Sequence, residues 1–126
     1  MVVSELIEHL EDEEINNMFN NIKYLLKNNG VLILTCPNNE DLELSKQFCP
    51  ECGCIYHKWQ HLRSFTKNDI SNLLIANGFK IKKIETLNWS LVFFNIYNLK
   101  RILKYFYLKL KNKLTEPHLV AIAIKK

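Results

Sequence analysis

The sequence predicts an α/β fold, and three observations carry that prediction. Short apolar runs alternate with amphipathic stretches along the 126 residues, in the order strand, helix, strand, helix, strand, helix, strand. Val31–Cys36 is a near-continuous apolar run between Gly30 and Pro37, the pattern of a strand covered on both faces. Thr66, with Asp69 three residues on and Gly78 beyond, brackets a helix: a hydroxyl to cap it, an acid in its positive first turn, and a glycine to end it.

Each element has its own reason. Val2–Ser4 reads as the end of a buried strand. Asp12–Lys27 reads as a helix with Ile15, Met18, Phe19, Ile22, Leu25 and Leu26 on one stripe, and Gly30 stops it. Val31–Cys36 is the second strand, ended by Pro37. Asn38–Ser64 is polar, irregular and too long for a plain connector, so 37–64 reads as an insertion. The capped helix spans Lys67–Asn77. Phe79–Leu87 alternates as a strand, Ser90–Leu114 reads as a helix, and His118–Ile124 is a last strand with small residues at Ala121 and Ala123. No internal repeat or low-complexity linker interrupts the chain.

Composition narrows the class. The chain is the size of one small domain, and 48% of its residues are apolar, enough for a core. No run of about 18 apolar residues occurs, and Met1-Val-Val-Ser lacks the basic flank and apolar stretch of a signal peptide. Four cysteines without a secretory signal favour a reduced, cytoplasmic setting, with thiols that bind metal or pack rather than form disulfides. The net charge of +4 is unevenly placed: Glu11–Glu14 is acidic, whereas 88–115 holds no acid.

Two clusters carry chemistry. Ser4–Leu10 reads Ser-Glu-Leu-Ile-Glu-His-Leu. If it turns into a helix after Ser4, Glu5, Glu8 and His9 fall at i, i+3 and i+4 on one face. Two carboxylates and an imidazole at a strand's carboxyl end suit a divalent cation. The competing reading is an acidic helix start favoured by the dipole. The second cluster is Cys49-Pro-Glu-Cys52-Gly-Cys54-Ile-Tyr-His57-Lys-Trp-Gln-His61. Cys-Pro-x-Cys-Gly has the form of a zinc knuckle, a tight turn that aims backbone N–H groups at two thiolates. Cys49, Cys52, Cys54 and His57 are its candidate zinc ligands, and His61 is an alternative. A redox-sensitive thiol cluster and simple packed thiols are the other readings. Cys36, at a strand end, reads as core. Trp59 and Phe65 read as core or pocket wall, Asn38 and Asn39 as pocket or turn, and Arg63 as an anion contact or a partner of the acidic helix.

The stretches Ser4–Leu10 and Leu25–Asn38 (Leu-Leu-Lys-Asn-Asn-Gly-Val-Leu-Ile-Leu-Thr-Cys-Pro-Asn) together resemble class I S-adenosylmethionine-dependent methyltransferases from the fourth strand onward. The resemblance covers almost the whole chain but begins in the middle of that fold; the family's first strand and glycine-rich loop have no counterpart. It implies the C-terminal half of a Rossmann-like methyltransferase fold, a mixed sheet in the order 4-5-7-6 with flanking helices and an open edge on the fourth strand. Such an edge invites self-association or a complementing N-terminal half. Glu5, Glu8, His9 and His61 match, residue by residue, the Glu-x-x-Glu-His motif and later histidine of the small-RNA 3′-terminal 2′-O-methyltransferases. The ubiquinone-pathway O-methyltransferases resemble the same motif. The resemblance implies S-adenosylmethionine as cofactor, with Ser4 and Glu5 as cofactor contacts and His9 and His61 as catalytic residues. It further implies magnesium or manganese at Glu5, Glu8, His9 and His61, and a small-molecule, glycan or RNA-end substrate. The Cys-rich insertion departs from both groups. On this reading the chain alone is an inactive portion of an O-methyltransferase; the alternative is a non-catalytic zinc-binding interaction module or partner subunit.

Val92, Ile96, Leu99, Leu103, Phe106, Leu110 and Leu114 recur at helical spacing within 90–114, and Lys and Tyr occupy the other faces. A basic amphipathic helix of this kind packs on the sheet, makes an association surface, or lies on an anionic membrane through 91–114.

Overall fold

A computed structural model describes residues 1–88, 107 and 117–126. The amphipathic segment 90–114 lies, but for Tyr107, outside the described residues. Strands β1 (Val2–Ser4), β2 (Val31–Pro37), β5 (Phe79–Leu87) and β6 (His118–Lys125) form one sheet in the order β1-β2-β6-β5. β1 runs parallel to β2, with Ser4 beside Thr35, and β6 is antiparallel to both of its neighbours. These are the neighbour relations of the order 4-5-7-6.

Helix α1 (Asp12–Leu25) opens where the Glu14 carboxylate accepts the Glu11 N–H at 2.8 Å. Its stripe buries Ile15, Phe19 and Ile22, while Leu25 is exposed. Helix α2 (Lys67–Ala76) starts at the expected cap: Asp69 Oδ2 accepts the Thr66 N–H at 2.8 Å. Both helices stop one or two residues before their predicted ends, the normal fraying of a last turn. Gly78, at φ +83°, supplies the left-handed residue that turns the chain from α2 into β5. Gly30 meets a different demand. A Cβ there would lie 2.7 Å from the Lys27 carbonyl oxygen, so only glycine fits the return from α1 to β2.

Leu32, Leu34 and Cys36 of β2 stand beside Ala123, Ala121 and Leu119 of β6, all buried. Phe19 of α1 meets Phe79 of β5 with ring centroids 6.1 Å apart, and Ile70 and Leu74 of α2 complete the core. Burying each such side chain contributes about 1.5–3 kcal/mol. No helix among the described residues is long and apolar enough to cross a membrane.

Two expectations are corrected. Segment 37–64 is not wholly irregular: β3 (Lys46–Phe48) and β4 (Ile55–His57) pair as an antiparallel hairpin. Its strands are mostly exposed and so leave little buried apolar periodicity to read. Ser4–Leu10 is not a helix. A single 3₁₀ turn covers Ile7–His9, because the backbone is claimed elsewhere on both sides. Glu5 N–H bonds the Thr35 carbonyl at 3.0 Å, which continues the β1–β2 ladder, and the Glu8 carbonyl accepts Leu62 N–H at 2.8 Å instead of a helical partner. Glu5 therefore lies upstream of the turn, in a left-handed conformation with φ 47°.

Candidate functional site

The chain leaves β1 at Glu5 and β2 at Asn38, and enters antiparallel β6 at His118, so these residues meet at one end of the sheet. A cavity of about 640 Å³ opens there, lined by Glu5, Glu8, His9, Pro37, Asn38, Asn39, Glu40, Trp59, His61, Pro117 and His118. Ligands of open α/β sheets bind at this carboxyl end of the strands. Glu5 and Asn39, two wall residues, hold positive φ, as does Gln60 beside them, and backbone strain of this kind concentrates at functional sites.

Glu8 is the central feature. It is 1% exposed, and neither carboxylate oxygen has a hydrogen-bond partner. Burial pushes its carboxyl above the ordinary value, and Glu5 adds to the rise; its own backbone N–H and the nearby His9 and His61 pull the other way. His9 Nδ1 lies 3.2 Å from the Gln60 carbonyl oxygen. A carbonyl only accepts, so Nδ1 carries a proton, and in the neutral ring Nε2 keeps its lone pair. That Nε2 is 3.9 Å from Glu8 Oε1 with no donor between them. His61 closes the group, its ring edge-on to His9 at 4.9 Å. Glu8, His9 and His61 each offer a ligand atom within 4.8 Å of the others. A buried, unpartnered carboxylate beside two imidazoles is a donor set that lacks only a positive charge, and it fits a divalent cation.

Glu5 is not in that group. Thr35 Oγ1 donates to Glu5 Oε1 at 2.9 Å and meets the Ser4 hydroxyl at 2.8 Å, so Ser4 is the donor in that second bond. Glu5 Oε2 lies 3.7 Å from His118 Nδ1. Ser4 and Glu5 thus belong to one hydrogen-bonded row at the β1–β2 end. Arg63 pairs with Asp12 at 2.5 Å, the acidic-helix alternative among its two readings.

The cysteine loop is a tight turn: Cys49 N–H bonds the Cys54 carbonyl at 2.8 Å, and Gly53 N–H bonds the Cys49 carbonyl at 2.9 Å. The Cys54 backbone N–H, with the Cys49 and Cys54 thiols, holds the exposed Cys52 thiol below its ordinary value. The turn does not bring the cysteines into one group with His57. His57 stacks on His61 at 4.8 Å, and a second group of ligand atoms comprises Glu40, His57 and His61. Glu40 was not legible as a site residue. Its only signal is its place just past the end of a strand, after Pro37-Asn38-Asn39.

No protein-family model matches the sequence, and no curated sequence is similar enough to count as a relative. Solved structures do match. Over 99% of this chain it superposes, with a TM-score of 0.60 and 15% identity, on 42% of the Burkholderia thailandensis 1,6-didemethyltoxoflavin-N1-methyltransferase, which was solved with S-adenosylhomocysteine bound. Over 98% it superposes on 60% of an S-adenosylmethionine-dependent methyltransferase from Mesorhizobium loti, with a TM-score of 0.58 and 14% identity. A third such methyltransferase, from Archaeoglobus fulgidus, gives a TM-score of 0.58 at 18% identity over 57% of its length. The fold is that of S-adenosylmethionine-dependent methyltransferases. This chain spans about half the length of the methyltransferases it matches.

Proposed function

We infer that this chain is the acceptor-binding portion of an S-adenosylmethionine-dependent O-methyltransferase, with a divalent cation held by Glu8, His9 and His61. One observation carries the reading: in a methyltransferase fold, at the ligand end of the sheet, the buried Glu8 carboxylate has no proton donor and faces an imidazole lone pair. When bound, the cation lowers the pKa of a hydroxyl that contacts it and so makes that oxygen a better nucleophile. The side chains around it do the positioning. Trp59 gives the cavity an apolar wall, while Asn38 and Asn39 border it with groups able to hydrogen-bond a substrate that carries neighbouring hydroxyls.

The described residues do not fit the methionine end of the methyl donor. Gly30 precedes β2, Gly53 lies in the cysteine turn, and Gly78 links α2 to β5. None stands where a strand turns into a helix, the position at which a glycine-rich loop lets the backbone approach a cofactor. This chain's part is therefore the acceptor side.

Titration with manganese, followed by electron paramagnetic resonance, tests the reading. The wild-type chain should bind manganese, and Glu8→Ala and His9→Ala should each abolish binding while far-ultraviolet circular dichroism stays native. A wild-type chain that leaves manganese free in solution would end the proposal, as would equal binding by Glu8→Ala.

A further inference from the structure

We propose that Glu40 is a positioning residue that locks His61 in the tautomer protonated at Nδ1, and that His57 braces Glu40 rather than binding metal. The bonds around the two stacked rings carry this. His61 Nδ1 lies 2.5 Å from Glu40 Oε2. A carboxylate only accepts, so the shared proton belongs to Nδ1, and Nε2 is left as the nitrogen with a free lone pair. His57 is fixed in the opposite sense. Its Nδ1 accepts two backbone N–H groups, from His61 at 3.0 Å and from Trp59 at 3.3 Å. A nitrogen that accepts cannot carry the proton, so the proton of the neutral ring sits on Nε2, which lies 3.6 Å from Glu40 Oε1. That distance is too long for a hydrogen bond but close enough for a favourable charge–dipole contact. A protonated nitrogen is no metal ligand. Glu40, His57 and His61 are therefore not a second cation site, although their ligand atoms lie close together.

The arrangement has a recognised physical logic. A histidine that ligates a metal through one nitrogen is oriented by a carboxylate on the other, which also raises its basicity. His9 is set the same way by a different acceptor, the Gln60 carbonyl. Both imidazoles thus present Nε2, and the orienting groups come from either side of the hairpin, Glu40 from the segment between β2 and β3 and Gln60 from the segment between β4 and α2. Glu40 and the His61 side chain are largely buried, as is the His57 side chain, so the hydrogen bond between Glu40 and His61 is shielded from water.

Nitrogen-15 NMR of the histidine-labelled full chain at mildly alkaline pH reads the tautomers directly. His61 should appear protonated at Nδ1 and His57 at Nε2. Glu40→Ala should return His61 to the Nε2-protonated form and weaken manganese binding by about 10- to 100-fold. Glu40→Gln, whose amide oxygen accepts the same bond, should keep the tautomer and recover part of the affinity. Finding wild-type His61 protonated at Nε2 would overturn the inference, as would unchanged manganese affinity in a folded Glu40→Ala. The affinity arm alone rests on the cation reading above. If the wild-type chain binds no manganese, that reading falls, and the tautomer shift between wild type and Glu40→Ala still decides for or against Glu40.

Discussion

Cys36 shows how differently four thiols fare in one chain. It is fully buried on β2, and its thiol is pushed up to about 12, first by burial and then by the nearby Glu8 and Glu5 carboxylates. The thiolate is the reactive form, so Cys36 should be inert in the native protein. Cys52 is exposed and held below its ordinary value; Cys49 and Cys54 flank it on the same turn. Titration with a chromogenic disulfide at neutral pH should therefore count three thiols in the folded, metal-free protein and the fourth only after denaturant is added. A native count of four would show that β2 opens far more readily than its packing implies. At this scale the sequence was partly legible. Glu8, His9 and His61, which the structure brings together, were visible as candidates, and Cys36 as core. Glu5 was misplaced because the helical spacing that joined it to Glu8 assumed a helix which the β1–β2 ladder prevents. Glu40 was invisible because nothing in one acid of the Glu40-Asp41-Leu42-Glu43 stretch says which histidine it meets.

Among the elements, α2 was the most legible, and its cap explains why. Thr66 and Asp69 exchange bonds: Asp69 Oδ2 accepts from the Thr66 N–H at 2.8 Å and from its hydroxyl at 2.6 Å, and Thr66 Oγ1 accepts the Asp69 N–H at 3.3 Å. Replacing Thr66 by Ala should cost about 1 kcal/mol of stability. The Thr66 hydroxyl and then its N–H hold the Asp69 carboxyl below the usual carboxylate range. Its folded-state value is thus lower than its unfolded one. The stability it contributes is complete above the unfolded value, about 3.9, and is lost as pH falls through the lower folded value. Urea denaturation across this acid range should show Asp69→Asn losing less stability with acidification than wild type. Parallel losses would mean that the carboxylate adds nothing beyond the backbone bond. The hairpin of β3 and β4 was illegible for the opposite reason. Phe48, Ile55 and Tyr56 are exposed, so no buried face imposes the alternation by which strands are recognised.

For the whole molecule, the α/β class was legible because the sheet is built from apolar runs bracketed by Gly30, Pro37 and Gly78, whereas the order of strands came only from the family resemblance. The helical pattern read over 90–114 lies, but for Tyr107, outside the described residues. What half a methyltransferase's length implies is testable. No glycine-rich turn lines the pocket among the described residues, so calorimetry should find S-adenosylmethionine binding weak or absent for the chain alone. A micromolar dissociation constant, about −8 kcal/mol, would show that these residues hold the donor without such a turn. The position of β6 has a consequence for how the molecule is made. Among the described residues it is the last strand in chain order, yet it lies between β2 and β5 and hydrogen-bonds to both. Until it emerges from the ribosome, β2 has one unpaired edge, and β5 has helix α2 to pack on but no strand to pair with. β1 and β2 can pair first, but the sheet is completed only when β6 enters between β2 and β5, across contacts distant in sequence. Such closures are slow and leave sticky intermediates exposed, so staying soluble during synthesis depends on what covers the open edge of β2 before β6 arrives.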